Sequence, residues 1–543
     1  MNHVPSSPFL RRALPAALVA AALVAGCSSS SDKADTTAKN ATTPAAQSPV
    51  PGPATPSPQP PPPVGADNPA LKDFYAQKLD WAPCKADPDA RKADSAVAAV
   101  DRKLQCAKMR VPLDYAAPGT KSIEVAVYRL PAQGGADSRL GSLATNPGGP
   151  GSGVRYTVTK LAASRPGLAE RYDIIGFDPR GTGNSSQVDC ADGPLMDRLQ
   201  SIDPTPDAAQ VESAAAVLKE FGQGCAARMG DLLPRIGTTE AVDDMDVLRG
   251  VVGDEKLNYV GTSYGTYLGA RYAQRHPGRV GRLVLDGLLD PASDRMTLAR
   301  EQAEGFELAF RTFSKDCIGK ADCPFKGSVD NASASMRAKL DKLSAAPAKV
   351  GKRAVDEGIA STVISAYLYS PKAWPNLRLI LKSLYAGDAQ YMLNAFDAYA
   401  DRAKDGTYKE SSFPGYFEIN CADGRFLSAA EAAALGRDIS ATAPVLGPSV
   451  VWSWAADCAV PGADRPARLD AAKLPGLLLI STTRDPATPH IAAARYKEQL
   501  PGSSLITYDG DGHVAFYRES SCVDNAVDGY LLDGKLPGDL NCD

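Results

Sequence analysis

A serine between two glycines is the residue of this sequence best suited to covalent chemistry. Ser263 stands in Gly-Thr-Ser-Tyr-Gly at 261–265, after the apolar residues 257–260 and before small residues that can begin a helix. Glycines on either side allow a sharp strand-to-helix turn that exposes the hydroxyl group, which is the arrangement of a nucleophile elbow. The pattern predicts Ser263 as a nucleophile, and the simpler alternative is a glycine-rich connection between two elements.

The general base can be found by elimination, because the chain has four histidines. His3 lies near the start of the chain, His276 follows the helix after the serine, and His490 begins a later helix. His513 comes directly after the last predicted strand, where a base completes the chain order serine, aspartate, histidine. The sequence therefore predicts His513 as the base and His490 as a surface or pocket-rim residue.

Two aspartates compete for the acid position. Asp485 follows the apolar residues 477–480, and Asp286 follows the apolar residues 283–285. A carboxylate at a strand end can accept the imidazole Nδ1 proton and fix the tautomer whose Nε2 deprotonates the serine. We expect Asp485 to be this acid and keep Asp286 as its rival.

A glycine-rich loop supplies candidates for an oxyanion hole. Residues 146–151 read Asn-Pro-Gly-Gly-Pro-Gly and follow a predicted strand, and a simple structural turn is the alternative. The prolines carry no N–H, so the possible donors are Gly148, Gly149 and Gly151. We expect Gly148 and Gly149, together with the N–H of Tyr264 after the nucleophile, to bind a developing oxyanion.

The elements that must position these residues alternate along the chain. Short apolar runs separated by helical stretches predict a mostly parallel sheet wrapped by helices, as in the α/β-hydrolase fold. The predicted strands cover residues 123–128, 141–145, 172–177, 257–260, 282–285, 476–481 and 504–508. Residues 291–474 have helical spacing and are expected to form a cap over the carboxyl edge of the sheet. The core is thus predicted in two parts, 71–290 and 475–543, with the acid and the base in the second.

The beginning of the chain is typical of an export signal. Two arginines precede the apolar residues 13–25, a run too short to cross a bilayer, which needs roughly 20 residues. The sequence Leu-Val-Ala-Gly before Cys27 resembles the lipobox of bacterial lipoproteins. Residues 1–26 are predicted to be a signal peptide, and the resemblance implies that Cys27 is diacylated and becomes the new N-terminus. An ordinary signal peptide cut near Ala25 is the alternative.

A Ser/Thr/Ala/Pro-rich segment follows, and residues 51–63 are mostly proline. Such a composition cannot bury enough apolar surface to offset the entropy of ordering. Residues 27–70 are therefore predicted to be a disordered tether. The expected location is the outer face of the cell membrane, with the lipid on Cys27 as the anchor and the export route left open.

Cysteine usage fits an oxidising compartment. Of the 11 cysteines, assigning one to a lipid leaves an even number for disulfides. Sequential pairing closes the shortest loops, and it joins 84 with 106, 190 with 225, 317 with 323, 421 with 458, and 522 with 542. No two cysteines have the spacing of a zinc or redox motif, so no metal site is expected.

The charge balance excludes one class of partner. Lys and Arg number 59 against 63 Asp and Glu, for a formal net charge of −4, and no basic stripe is present. A nucleic-acid partner is therefore not expected. No cofactor is expected either, and the sequence leaves the oligomeric state open.

Several motifs together resemble the secreted tripeptidyl aminopeptidase-like branch of the proline iminopeptidase family. They are Val-Pro-Leu-Asp-Tyr at 111–115, the loop at 146–151, Asp-Pro-Arg-Gly at 178–181, the elbow at Ser263, and Asp485 with His513. The likeness covers residues 81–542. It implies a serine aminopeptidase that acts on free peptide or protein N-termini through an acyl-enzyme. The expected products are short peptides of three residues, although the sequence leaves the number released per cut open. Asn146 stands where proline iminopeptidases carry a histidine, so their narrow proline specificity is not implied.

The resemblance also implies a carboxylate near the cap that holds the substrate ammonium. Glu418 and Asp423, on either side of Cys421, are the candidates, and a solvated or helix-capping acid is the alternative for each. Two other functions remain open. A cell-surface esterase or lipase-like hydrolase would use the same triad, whereas a peptide-binding lipoprotein without activity would have no need of the intact serine, aspartate and histidine.

Overall fold

The structure is a computed structural model that describes residues 65–85, 95–205, 207–408, 412–424, 426–460, 462, 467–470, 474–518 and 520–543. The predicted signal peptide, the lipidated Cys27 and most of the predicted tether lie outside the described residues. Within these ranges, no helix has the length and apolar character needed to cross a membrane.

A ten-stranded sheet runs through the described residues in the order β1-β2-β3-β5-β4-β6-β7-β10-β11-β12. The strands are β1 (Ala82–Pro83), β2 (Gln105–Pro112), β3 (Ser122–Leu130), β4 (Ser142–Asn146), β5 (Asp173–Phe177), β6 (Leu257–Thr262), β7 (Val280–Asp286), β8 (Ala348–Val350), β9 (Arg353–Val355), β10 (Leu478–Arg484), β11 (Ser504–Asp511) and β12 (Leu540–Cys542). The neighbouring strands β1 and β2, β2 and β3, and β3 and β5 pair in antiparallel fashion. Every other pair in this sheet, from β5 with β4 to β11 with β12, is parallel. Strands β8 and β9 form a separate hairpin.

Helices flank this sheet and fill the block between β7 and β10. They are α1 (Lys72–Tyr75), α2 (Ser95–Asp101), α3 (Arg155–Ser164), α4 (Pro166–Arg171), α5 (Gly193–Gln200), α6 (Ala208–Met229), α7 (Thr238–Val251), α8 (Tyr264–Arg275), α9 (Arg295–Cys317), α10 (Val329–Ala345), α11 (Glu357–Leu368), α12 (Trp374–Tyr385), α13 (Gln390–Tyr399), α14 (Phe413–Ala422), α15 (Ala429–Ile439), α16 (Gly447–Trp452), α17 (Ile491–Gln499) and α18 (Ser521–Asp533). Helices α9 to α16 and the small hairpin stand where the sequence predicts a cap. The predicted α/β-hydrolase fold is confirmed.

The central parallel strands are covered on both faces. All five residues of β4 and all five of β5 are buried. Along β7, Leu283 and Leu285 belong to one core cluster and Val284 to the opposite one, as the two-residue repeat of a strand requires. This burial fixes the register of the strands, so their carboxyl ends meet at one edge of the sheet.

The described residues begin inside the segment predicted as a tether. Residues Gly65–Asp67 and Pro69–Leu71 form two short 3-10 turns, and Leu71 is buried. A Cβ at Gly65 would lie 2.9 Å from Asp246 and 3.1 Å from His276, so the turn packs tightly on α7 and the end of α8. The last residues of the predicted tether are therefore ordered against the core, with Gly65 and the following Leu71 buried.

Five disulfides join the ten described cysteines in the sequential pairing expected from the sequence. They link Cys84 with Cys106, Cys190 with Cys225, Cys317 with Cys323, Cys421 with Cys458, and Cys522 with Cys542. The predicted connectivity is confirmed. Such a set is typical of proteins that fold in an oxidising compartment.

Candidate active site

Ser263 occupies a strained turn between β6 and α8. Its φ of 58° and ψ of −126° lie in a region that residues other than glycine rarely adopt. The flanking glycines make the turn possible, since a Cβ at Gly261 would lie 2.3 Å from the carbonyl oxygen of Gly265. The Ser263 N–H donates to the carbonyl oxygen of Asp286 at 2.9 Å, which holds the turn against β7. The structure therefore places the serine on an elbow, as its motif predicts.

The predicted base and acid form a buried pair. His513 Nδ1 lies 2.8 Å from Asp485 Oδ1 and 2.9 Å from Oδ2. The same carboxylate accepts hydrogen bonds from the N–H groups of Ala487, Thr488 and Val514, and from the Thr488 hydroxyl. With Nδ1–H donating to the carboxylate, Nε2 is the ring nitrogen able to accept the serine proton.

The cap contributes directly to the position of the base. The backbone N–H of His513 donates to the carbonyl oxygen of Tyr369 at 3.3 Å, directly after α11. The two rings stand almost perpendicular, with centroids 5.2 Å apart. Ser263, His513 and Tyr369 all line one cavity of about 490 Å³ between the sheet edge and the cap. The structure thus brings the nucleophile and the base to the same cavity.

The rival acid, Asp286, does not bond the imidazole. Its Oδ2 accepts the N–H groups of Ala515 at 2.8 Å and Phe516 at 2.7 Å, and its buried Oδ1 has no hydrogen-bond partner among the described residues. Burial raises the pKa of Asp286 to about 6, although the two backbone N–H groups lower it. Since its carbonyl oxygen also receives the Ser263 N–H, Asp286 joins the nucleophile turn to the loop that follows His513.

The structure corrects one oxyanion donor. The N–H of Gly148 already donates to the side-chain Oδ1 of Asn146 at 2.9 Å, so the prediction that it binds an oxyanion is wrong. Position 148 requires glycine for another reason. A Cβ there would lie 2.8 Å from both Ser263 Cβ and Tyr264 N. The loop therefore presses against the elbow, and Asn146 fixes its shape.

Gly149 and Tyr264 remain in a position to stabilise an anion. Both line the cavity together with Ser263. Tyr264 is the first residue of α8, so its N–H belongs to the end of the helix that favours negative charge. These two N–H groups remain the predicted oxyanion donors.

The two carboxylates predicted to hold an ammonium do not line the cavity. Asp423 accepts the backbone N–H of Thr238 at 2.8 Å and its hydroxyl at 2.5 Å, which caps the first turn of α7. Glu418 lies against the disulfide of Cys190 and Cys225, and burial raises the pKa of Glu418 to about 7. The prediction is wrong for both residues, and for Asp423 the helix-capping alternative holds.

Helical spacing explains where Glu418 points. Of α14, the residues Phe413, Tyr416, Phe417 and Asn420 line the cavity, at positions i, i+3, i+4 and i+7. These positions form one face of a helix, and Glu418 stands on the other. Sequence reasoning missed Asn420, although the same periodicity could have identified it.

The cavity wall is aromatic and uncharged. None of the described residues that line it is an aspartate, glutamate, lysine or arginine. Nine of the described lining residues are phenylalanine, tyrosine or tryptophan, namely Tyr264, Phe306, Tyr369, Tyr399, Phe413, Tyr416, Phe417, Trp452 and Trp454. The polar groups are hydroxyls and the carboxamides of Gln200, Gln302 and Asn420. A ligand in this cavity therefore meets apolar surface and neutral hydrogen-bonding groups.

Helix α14 is fixed at both ends to the catalytic side of the cavity. At its start, a Cβ on Gly151 would lie 2.5 Å from the carbonyl oxygen of Ser412 and 2.7 Å from the N of Tyr416. Just beyond its end, Asp423 binds Thr238, whose hydroxyl lies 2.5 Å from that of Tyr264. The helix therefore extends from the oxyanion loop to the first residue of α8.

One group of potential metal ligands occurs among the described residues, and it consists of Cys190, Cys225 and Glu418. The two sulfur atoms are joined in a disulfide, so they cannot act as thiolate ligands. The active-site cavity is separate from this group, since none of the three lines it.

Comparison with known proteins gives matches over most of the chain. The profile of the family described as alpha/beta hydrolase fold matches residues 145–520. Serine protease Hip1 of Mycobacterium tuberculosis is 32% identical over 492 residues, which cover 85% of this chain and 90% of that protein. Tripeptidyl aminopeptidase of Streptomyces lividans is 31% identical over 485 residues, 86% of each chain. Carboxylesterase B of Mycobacterium tuberculosis is 34% identical over 456 residues, 80% of this chain and 85% of that protein.

Proposed function

This chain belongs to the alpha/beta hydrolase fold family, and on that premise we propose that it is an exported serine aminopeptidase that releases tripeptides from free N-termini. One observation carries the proposal. Ser263 on its elbow shares a capped cavity with His513, whose Nδ1 is bonded to the buried Asp485. The relatives named serine protease and tripeptidyl aminopeptidase support a peptide as the substrate.

The reaction follows from these positions. His513 Nε2 takes the proton of Ser263 as the hydroxyl oxygen attacks the scissile carbonyl carbon, and Asp485 stabilises the imidazolium. The N–H groups of Gly149 and Tyr264 receive the oxyanion. When the tetrahedral intermediate collapses, His513 protonates the leaving amine and the acyl-enzyme remains. Water, deprotonated by the same imidazole, then attacks the ester and releases the peptide acid.

The size of the cavity supports an exopeptidase. Its volume of about 490 Å³ falls within the range of roughly 300 to 1,000 Å³ that small ligands occupy. Helices of the cap roof it, so a chain end can enter more readily than the middle of a folded polypeptide. The choice of the N-terminus and of three residues rests on the relative named tripeptidyl aminopeptidase.

Export and anchoring form the second part of the proposal. The five disulfides support an oxidising compartment. The signal-like residues 1–26 and the lipobox before Cys27 support lipidation at that cysteine and attachment to the outer face of the membrane. Metabolic labelling with a radioactive fatty acid should mark the wild-type protein and leave Cys27→Ala unmarked. Equal labelling of both proteins would contradict lipidation at this residue.

A cell-surface esterase is the second candidate function. The uncharged, aromatic cavity also suits an apolar acyl ester, and one relative is named Carboxylesterase B. Both activities would use the same three catalytic residues, so the triad alone does not distinguish them. The leaving group and the acyl side of the substrate have to be tested separately.

The test compares three substrates on the same enzyme preparation. They are a tripeptidyl anilide with a free amine, its N-acetylated form and a short-chain nitrophenyl ester, and Ser263→Ala is the blank. We expect cleavage of the free anilide to give the intact tripeptide by mass spectrometry, with a lower kcat/KM after acetylation. Turnover of the ester with no cleavage of either anilide would favour the esterase. Equal cleavage of both anilides would rule out an aminopeptidase.

A further inference from the structure

The cavity assigns a substrate class within the proposed peptidase function, on which this inference rests. We propose that the enzyme selects peptide ends with uncharged side chains, and that Asn420 sets this selection. In this arrangement Asn420 accepts a hydrogen bond from the α-amine of the substrate in its neutral form, which a terminal amine adopts far more readily than a lysine side chain does. The orientation of α14, the bonding of the Asn420 amide and the lining of the cavity support this assignment.

Helix α14 presents Asn420 to the substrate. The helix docks at its first turn on the oxyanion loop, through the close approach of Gly415 to Gly151. Beyond its last turn, Asp423 reaches the side chain of Tyr264 by way of Thr238. Asn420 lines the cavity one turn before that end. Asn420 therefore lines the same cavity as Ser263, where a peptide attached to the serine would lie.

The hydrogen bonding of Asn420 leaves it as an acceptor. Its Nδ2 donates to the carbonyl oxygen of Tyr416 at 2.9 Å, and a carbonyl oxygen can only accept. This bond fixes the orientation of the amide and leaves Oδ1 as an acceptor, next to the second N–H of Nδ2. Among the described residues, none donates a hydrogen bond to that oxygen. Asn420 is itself only 2% exposed, so its position is set by packing before a substrate arrives.

The described residues of the wall offer no countercharge for a substrate side chain. Removing a charged group from water without a partner is expensive, whereas a neutral amide needs only hydrogen bonds. The aromatic rings carry partial negative charge on their faces and can attract a cation weakly, but they repel an anion. Peptides with neutral side chains should therefore be cleaved fastest, those with lysine more slowly, and those with glutamate slowest.

Asn420 and Glu418 lie on different faces of α14. The two residues are separated by two positions of α14, and only Asn420 lines the cavity. A carboxylate introduced at Asn420 would enter the cavity wall, whereas loss of the Glu418 carboxylate would alter the far side of the helix. Glu418→Gln is therefore the matched control, because it removes an acid from the same helix without touching the cavity.

The experiment measures kcat/KM for a set of tripeptidyl anilides in which leucine, lysine or glutamate is placed in turn at each of the three positions. For the wild type, we expect lysine and glutamate to lower kcat/KM by roughly tenfold or more at the position facing the cavity wall. Asn420→Asp should raise the lysine-to-leucine ratio by roughly tenfold at one position at least and lower the glutamate-to-leucine ratio. Glu418→Gln should leave all ratios unchanged.

The possible outcomes distinguish a failure of this inference from a failure of the proposed peptidase function. Cleavage of lysine and glutamate peptides by the wild type within threefold of the leucine peptide would overturn the uncharged specificity while the peptidase function stands. Ratios unchanged in a folded Asn420→Asp enzyme that still cleaves the leucine peptide would remove Asn420 from this role. Failure to cleave any peptide, together with turnover of the nitrophenyl ester, would overturn the proposed function and this inference with it.

Discussion

At the carboxyl edge of the sheet, parallel strands carry the predicted catalytic side chains, whereas in the cap one face of α14 carries residues that line the cavity. Ser263 follows β6, Asp485 follows β10 and His513 follows β11, so the position of each is set by where a buried strand ends. On α14, a shift of two residues moves a side chain from the cavity to the opposite face, as Asn420 and Glu418 illustrate.

The difference separates two kinds of constraint. The sheet edge depends on strand register, which hydrophobic burial enforces over many residues. The cap depends on helix rotation and on a few close contacts, such as that between Gly151 and Gly415. Changes at the sheet edge should therefore affect the chemical step, and changes in the cap should affect the fit of the substrate.

The largest effect is expected at the acid. Asp485→Asn should lower kcat by roughly 10⁴-fold, because an amide in this position favours the imidazole tautomer that cannot deprotonate the serine. The change in kcat is measured on the tripeptidyl anilide, with near-ultraviolet circular dichroism to verify folding. A greater loss in Asp286→Asn than in Asp485→Asn would show that the acid has been assigned to the wrong strand.

A smaller but substantial effect is expected where the cap meets the oxyanion loop. Gly151 has a φ of +97°, and an added Cβ would lie 2.5 Å from the Ser412 carbonyl oxygen. Gly151→Ala should displace α14 or the loop and lower kcat/KM by about a hundredfold, which is the scale of a misplacement near 1 Å. Gly167→Ala is the control, since a Cβ there would meet nothing within 4 Å. Equal activity of the two variants would refute the coupling of cap and loop.

A smaller loss of kcat/KM is expected when Asp286, at the end of β7, is changed, because this residue holds the loop that follows His513. Asp286→Asn keeps an oxygen that can accept the N–H groups of Ala515 and Phe516, but it places an amide NH₂ where the carboxylate oxygen has no partner. We expect kcat/KM to fall about tenfold, consistent with a buried donor left without an acceptor. No change at all would mean that this carboxylate does not position His513.

The same variant should have a distinct dependence on pH. The pKa of Asp286 is raised in the fold from 3.8 to about 6. Its contribution to stability is therefore complete below its unfolded pKa and is lost as the pH rises through about 6. Asparagine does not titrate, so the free energy of unfolding of Asp286→Asn relative to the wild type should increase between pH 4 and pH 7. Urea denaturation measures this difference, and a constant value across the range would contradict the raised pKa.

The smallest effect is expected at Asp423. Because its carboxylate caps α7 through Thr238, Asp423→Asn should cost about 1 kcal/mol of stability, the usual scale of a helix cap. The ratio of kcat/KM for free and acetylated anilides should not change, since Asp423 does not line the cavity. A selective loss of activity on the free amine would restore Asp423 as an ammonium site.

The sequence predicted the sheet edge well because strands and elbows have local signatures. The strands that carry or flank the triad were predicted within a few residues of their observed bounds, and the order of serine, aspartate and histidine followed from the motifs. Strands β1, β2, β8, β9 and β12 were missed. Four of these have two or three residues, and β2 alternates polar and apolar side chains that include a cysteine and a lysine.

The errors arose where a side chain had to be assigned a partner. Gly148 was predicted as a donor, but whether its N–H is available depends on the position of the Asn146 side chain, which sequence spacing does not specify. Glu418 was chosen for its charge, although helical periodicity from Phe413 would have placed Asn420 on the cavity face. Residue type alone identified candidates in the cap, and geometry was needed to choose among them.

The central claim is that Ser263 is a nucleophile activated by His513 at the edge of the sheet. The most direct measurement is covalent labelling with a fluorophosphonate, in which the serine oxygen displaces fluoride from phosphorus, followed by mass spectrometry of the labelled peptide. The account predicts an adduct on Ser263 in the wild type and in Glu418→Gln, much slower labelling in His513→Ala, and none in a folded Ser263→Ala. An adduct on another residue, or labelling of Ser263→Ala at the wild-type rate, would contradict it.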